Sequence, residues 1–442
     1  MSDKTLQRLP LALAALLTCL SAHADFVSDD GKARLSGFGT VGAARTNSDD
    51  ALFNYPGQGG GVDKQVGMEV DTKVGLQGTY KFTNSISGTA QVLTKYRAQG
   101  QYQPEFEWAF AKWQATPGLS IRAGRIGAPY FMISDFRDVG FANTAIRPPL
   151  DVYGQVPVSS ADGGDISYQM NLGGATITST LWGGSAKNEY ASALRSSGVA
   201  VDPVTVKLKN GVGLNFNIEL DDGLTFRFGH SQGKLTIESS TIDTLVGGYT
   251  GIANNTLAPS NFRAIAAQAA GALPTENTKA TFTGIGASLD RDNIVLAAEY
   301  TLRRVKAGNV ADTTGWYALG GYRFGSFLPY VIVSKLKLDE SNISMPSNLS
   351  SLNALGTSAQ RLVASTPVAL ATQYVQQSTN SVGVRWDAMR NTAVKVQFDS
   401  IKKPANSNGL LLVADPATAN SADFRSNKKN INVISVAVDF VF

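Results

Sequence analysis

Residues 120–165 read SIRAGRIGAPYFMISDFRDVGFANTAIRPPLDVYGQVPVSSADGGD. The stretch begins as an alternating strand, becomes a segment dense in both charge signs, prolines and aromatics, and resumes alternation at Asp165. So long a connection inside an ordered protein is uncommon and usually functional. What it serves depends on the segments that flank it.

Residues 66–82 carry the clearest pattern. Val66, Met68, Val70, Thr72, Val74, Leu76, Gly78, Tyr80 and Phe82 share one parity, and Gly67, Glu69, Asp71, Lys73, Gly75, Gln77, Thr79 and Lys81 share the other. Side chains alternate faces along a strand, so one face is apolar and the other charged. The pattern recurs near 84–99, 165–173, 211–221, 294–303 and 394–399. Less regular strands fall near 33–45, 104–116, 118–126, 174–186, 223–236, 279–290, 314–324, 327–340, 374–387 and 430–442. The total is about 16, and many outlast the five or six residues of an average strand, as a tilted membrane-spanning barrel requires.

The connections differ by end. Tight turns follow the even strands at Thr83-Asn84, Pro117-Gly118, Gly173-Gly174, Asp221-Asp222-Gly223, Arg291-Asp292, Gly325-Ser326 and 388–391. Long connections follow odd strands at 46–65, 127–163, 187–209, 237–278, 341–373 and 404–429. Within the fourth of these, LAPSNFRAIAAQAAGALP at 257–274 suggests a short alanine-rich helix between prolines. Short turns on the periplasmic side and long loops outside characterise outer-membrane barrels. Tyr80, Phe82, Tyr322, Phe324, Trp386, Phe440 and Phe442, with Tyr330 beside them, then gather at the periplasmic rim as an interface girdle. The expected fold is all-β: a transmembrane antiparallel β-barrel of about 16 strands. The long connection at 127–163, after strand 5, folds inward as a constriction loop.

Compartment agrees. Residues 1–24 hold Lys4 and Arg8, an apolar run from Leu9 to Leu20, and Ala22-His23-Ala24, the pattern of a secretory signal peptide. The barrel then occupies 25–442. No later apolar run approaches the roughly 20 residues a spanning helix needs, so any crossing is made by strands. Cys19 lies in the leader, which excludes disulfides and thiolate metal sites from the mature chain. His23 lies there too, leaving only His230, so a multi-histidine metal site is excluded and no cofactor is expected. Removing Lys4, Arg8 and Asp3 takes 39 basic and 35 acidic residues to 37 and 34, a charge of +3 that does not suggest a nucleic-acid partner.

The chain ends with Ile434, Val436, Val438, Phe440 and Phe442 on one face. A terminal phenylalanine behind alternating apolar residues resembles the assembly signal of Gram-negative outer-membrane proteins. With the inward loop after the fifth strand and Gly124-Arg125 closing that strand, residues 25–442 resemble the proteobacterial general-diffusion porin family. The resemblance implies passive diffusion of small hydrophilic solutes and ions, outer-membrane lipid and lipopolysaccharide around the barrel, the barrel-assembly machinery as a partner, and a homotrimer. The chain departs from enterobacterial porins at their Pro-Glu-Phe-Gly turn, reading Pro129-Tyr130-Phe131-Met132. The acidic residue of that turn cannot be carried over.

Charge suggests how such a pore would work. Asp135, Asp138 and Asp151 in the loop, with Arg137 and Arg147 in partial compensation, face a basic wall of Lys73, Lys95, Arg97 and Arg122, with Arg125 near the rim. Opposed charge across a narrow aperture makes a transverse field that favours small polar solutes. Alternatively, the same residues pair simply to hold the loop. Arg227, Arg303, Arg323, Lys335, Lys337, Arg385 and Lys395 extend the basic character on later strands and lean towards anions. Two other classes remain open. A substrate-selective channel for small carboxylic or aromatic acids would use Tyr130, Phe131, Phe136 and Tyr153 as an apolar slide. A barrel-wall lipase would need His230 and Ser231 together, yet adjacent strand residues face opposite ways.

Overall fold

A computed structural model describes residues 26–156, 158–191, 203–413 and 419–442, so the expected leader at 1–24 lies outside the described residues. Sixteen antiparallel strands form the wall: β1 (Ala33–Thr46), β2 (Lys73–Lys81), β3 (Ile86–Tyr96), β4 (Tyr102–Gln114), β5 (Leu119–Gly127), β6 (Ser160–Leu172), β7 (Ala175–Tyr190), β8 (Val204–Leu220), β9 (Leu224–Glu238), β10 (Thr275–Arg291), β11 (Ile294–Val305), β12 (Asp312–Tyr322), β13 (Phe327–Glu340), β14 (Gln377–Met389), β15 (Thr392–Lys403) and β16 (Lys429–Val441). Each pairs with its sequence neighbour, and β16 pairs with β1, so the barrel closes without an edge. The two-residue strand Phe26–Val27 pairs on β1.

Closure happens at the terminal phenylalanines. Gly37 and Phe442 exchange backbone hydrogen bonds at 2.7 and 2.9 Å. A Cβ on Gly37 would lie 2.3 Å from the Phe442 ring, so only glycine leaves room for it. Phe440 and Phe442 stack with centroids 6.3 Å apart.

Alternation sorts the faces as expected. Val74, Leu76 and Tyr80 on β2, and Ile434 and Val436 on β16, are exposed on the outside. Gln91, Asp165, Asn215, Ser435 and Asp439 are buried within. Aromatic pairs Tyr80–Phe82, Tyr322–Phe324 and Phe327–Trp386 mark the short-turn rim. No described helix is long and apolar enough to cross a membrane.

Some expectations need correction. The alternation at 66–82 extends beyond its strand: only 73–81 forms β2, and Gly67 makes an isolated bridge to Ala44 of β1. Residues 69–71 turn inward, where the Gln58 side-chain amide donates to the carbonyls of Glu69 and Val70, and Val70 and Asp71 are buried. Tyr330 is not in the girdle. It shares parity with Leu328 and Ile332, is 2% exposed, and donates its hydroxyl to Gln397 inside the barrel. Lys335 and Lys337 share the parity of the exposed Val331 and Val333, and so face outward rather than into the lumen.

The outer loops carry structure of their own. The helix expected at 257–274 is present as Ser260–Ala272, between Pro259 and Pro274. It packs against Ser240–Asn254 and, with Thr357–Leu370, forms an apolar cap that includes Leu245, Tyr249, Ala266 and Leu352. Residues 47–72 and 404–413 fold over the lumen, where Ala51–Leu52 pairs with Leu412–Val413.

Candidate functional site

The long connection after β5 spans 128–159 and enters the barrel. Its first anchor is apolar: Tyr130, Phe131 and Tyr153 pack against Trp182, Phe282 and Tyr317 of the wall. Glu299 of β11 holds the same region by accepting from Met132 N at 2.9 Å and from the Tyr153 and Tyr317 hydroxyls. Tyr130, Phe131 and Tyr153 are therefore buried wedges rather than a slide, while Phe136 is exposed.

The middle of the loop lies against β15 and β16. A Cβ on Gly140 would sit 2.0 Å from Asp439 Oδ1, so glycine sets how closely loop and wall approach. Lys395, fully buried, donates to the carbonyls of Gly140, Asn143 and Ala145 at 2.7, 2.6 and 3.1 Å and pairs with Asp439 at 2.8 Å. Arg385 donates to the carbonyls of Phe141 and Asn143.

Arg147 and Asp151 do not face solute, correcting that expectation. Arg147 is 4% exposed, bonds Asp71 through Nε and Nη2 at 2.9 and 2.6 Å, reaches Asp399 at 3.0 Å, and sits over the Phe53 ring. The adjacent prolines, Pro148 and Pro149, favour an extended Arg147 and stiffen this approach. Asp151 is 1% exposed and accepts from Ser334 Oγ at 2.8 Å. Burial pushes its carboxyl up to about 6, against the hydrogen bonds from Ser334 and its neighbours.

Asp138 ties the loop to the wall. It pairs with Lys73 at 3.3 Å and Lys95 at 3.2 Å on the opposite wall, with Arg137 Nε 3.8 Å away. Burial disfavours its charge, but Lys95, Lys73 and Arg137 outweigh it and hold the carboxyl well below the usual range. These groups line a polar chamber of about 320 Å³ that also takes in Arg97, Glu105, Lys187 and Glu189. Arg97 bonds Glu105 and Glu107 at 3.2 and 3.4 Å. Asp135 is exposed and makes no ion pair among the described residues.

The basic wall divides. Lys73, Lys95 and Arg97 line the polar chamber. Arg122 also points inward but is locked to Asp165 by a bidentate pair, at 2.6 Å through Nη2, and lies over the Phe110 ring. Arg125 does not belong to the lumen. Ile126 beside it is buried in the luminal cluster, so Arg125 faces outward, where it pairs with Asp162 at 2.7 Å. His230 is exposed on the outer face and Ser231 is buried within, so the two do not meet.

Several residues that build the site escaped the sequence reading as partners: Asp71, Glu107, Glu299, Asp399 and Asp439. Their inward parity was available, but which inward carboxylate meets which loop residue was not. A second chamber, of about 280 Å³, lies beside the polar one and has apolar walls.

No family model matches the chain, and no curated protein matches it. Solved structures do match. The Salmonella typhi OmpF complex with daunomycin is similar at 15% identity and TM-score 0.51, over 95% of this chain and 100% of that one. The outer-membrane channel DcaP of Acinetobacter baumannii is similar at 9% identity and TM-score 0.52, over 95% and 100%. An anion-selective porin from Comamonas acidovorans is similar at 13% identity and TM-score 0.50, over 93% and 99%. The chain has the fold of outer-membrane channels.

Proposed function

We propose that this chain is a Gram-negative outer-membrane porin, a non-enzymatic channel through which small hydrophilic solutes and ions pass by passive diffusion. The observation that carries it is a closed sixteen-strand barrel whose loop after the fifth strand is pinned inside, with a charged chamber beside it. The chamber is lined by Lys73, Lys95, Arg97, Arg137 and Lys187 against Glu105, Asp138 and Glu189, five cations to three carboxylates, which favours a weak preference for anions. Its charges bridge loop to wall, so they brace the loop and set the field together. Export by a cleaved leader, assembly through the terminal Phe440 and Phe442, contact with outer-membrane lipid and lipopolysaccharide, and a homotrimer belong to the same reading.

Planar-bilayer recording on the purified protein tests it. Ohmic steps with a reversal potential displaced towards the anion in a salt gradient are expected, and the absence of conductance refutes the channel. A substrate-selective channel for small organic acids is the second reading, favoured by the apolar chamber.

A further inference from the structure

We infer that the apolar chamber beside the polar one is a binding site for a small aromatic carboxylate that also carries a hydroxyl group, an inference that rests on the channel reading for the site's purpose. The interior of a diffusion pore is normally polar, and this chamber is not. Val206, Leu208, Leu235, Phe282, Val305 and Leu411 contribute to its walls, and the start of the Ser240–Asn254 helix reaches it through Thr241 and Ile242. Its volume, about 280 Å³, suits a single small ring. Apolar walls give inorganic ions little to replace their hydration and leave most hydroxyls of a sugar without partners.

Three of the polar groups that line the chamber specify the rest. Arg303 lines it and donates three hydrogen bonds, all to backbone carbonyls: Gln155 at 2.8 Å and Ala311 at 3.2 and 3.0 Å. It forms no ion pair among the described residues. A guanidinium has about five N–H donors, so two remain for a ligand, and its charge calls for an anion. Asn54 and Asn408 line the same chamber and are 4% and 3% exposed. Each donates its amide to a carbonyl, of Gln58 at 3.1 Å and Ala371 at 3.5 Å, which orients the side-chain oxygens. Neither oxygen has a hydrogen-bond partner among the described residues. Buried acceptors without donors are costly, and a hydroxyl on the bound molecule would satisfy one.

A carboxylate for Arg303, a ring for the walls and a hydroxyl for an asparagine oxygen define the class. The chamber shares Pro56, Gly57, Gly154, Val156 and Tyr190 with the polar one, so an occupant lies next to the polar chamber.

Calorimetry on the purified full chain in detergent, with 4-hydroxybenzoate as the probe, is the test. Saturable binding is expected, with phenol and acetate each at least about tenfold weaker because each lacks one half of the recognition. Arg303→Gln, with barrel folding checked by heat-modifiable gel migration, should weaken 4-hydroxybenzoate at least about tenfold. If that variant fails to fold, the comparison of the three probes on the unaltered chain decides by itself. No saturable binding of 4-hydroxybenzoate, or phenol binding equally well, overturns the inference. Bilayer conductance separates the two proposals: conductance without binding refutes the inference alone, and binding without conductance refutes the channel alone.

Discussion

Replacing Arg147 with methionine isolates the strongest polar anchor of the inward loop. The substitution keeps an apolar side chain against Phe53 but removes the only cation that the described ion pairs assign to Asp71 and Asp399. Four hydrogen bonds disappear: two to Asp71, one to Asp399 and one to Ser435 Oγ at 2.8 Å. Breaking a buried pair by removing one partner costs about 3 to 5 kcal/mol, since the remaining charge is left uncompensated. Here two carboxylates remain, 5% and 4% exposed. The wall strands are held by their own ladders, so the loop yields instead and admits water.

At about 1.4 kcal/mol per tenfold, the equilibrium for loop opening should shift by about 10² to 4 × 10³. Amide hydrogen exchange across 140–152 reads this directly, with a matching loss of protection there and little change in β14 to β16. Single-channel records should show larger or noisier conductance. Adding Asp71→Asn and Asp399→Asn to the variant should restore most of the protection. Unchanged exchange in the loop would show that the aromatic anchor around Phe131 suffices and that the Arg147 cluster contributes nothing.

Asp151→Asn tests the pH dependence of the other anchor. A carboxyl raised from 3.8 to about 6 in the folded loop binds its proton more tightly there than in the released loop. Loop anchoring therefore weakens as pH rises from about 4 through 6, by about 3 kcal/mol in all. Protease protection of 128–159 should increase on acidification from pH 7 to pH 5, and the asparagine variant should be protected at both; a flat profile in the unaltered chain would contradict the burial argument. Asp138→Asn leaves Lys73 and Lys95 without their shared carboxylate, so anion preference in a salt gradient should rise, and an unchanged reversal potential would remove Asp138 from the selectivity field. Val74→Arg puts a cation on the exposed outer face of β2 and should destabilise the barrel by about 2 to 4 kcal/mol if it sits at mid-bilayer. Urea titration in lipid vesicles would measure this, and no effect would reverse the face assignment.

Strand order, the alternating faces and the position of the inward loop were legible in the sequence, because alternation and turn chemistry are local. Parity along a strand follows from backbone geometry, and Thr83-Asn84 or Gly173-Gly174 marks a turn without reference to anything distant. Where local pattern and long-range contact conflict, contact prevails. Residues 69–71 keep the alternation of a strand, yet Gln58 and Arg147 draw them into the lumen. Arg125 and Lys335 look like lumen charges until the buried Ile126 and the exposed Val331 fix the parity. The pairing of Asp71 with Arg147, the carbonyl cradle around Lys395, and the chamber lined by Arg303, Asn54 and Asn408 bring together residues far apart in the chain. The sequence alone determined where strands and turns fall and that each strand has one apolar and one polar face. Only barrel closure and the folding-in of three loops decided which residues meet, because those contacts depend on curvature and packing that no single segment encodes.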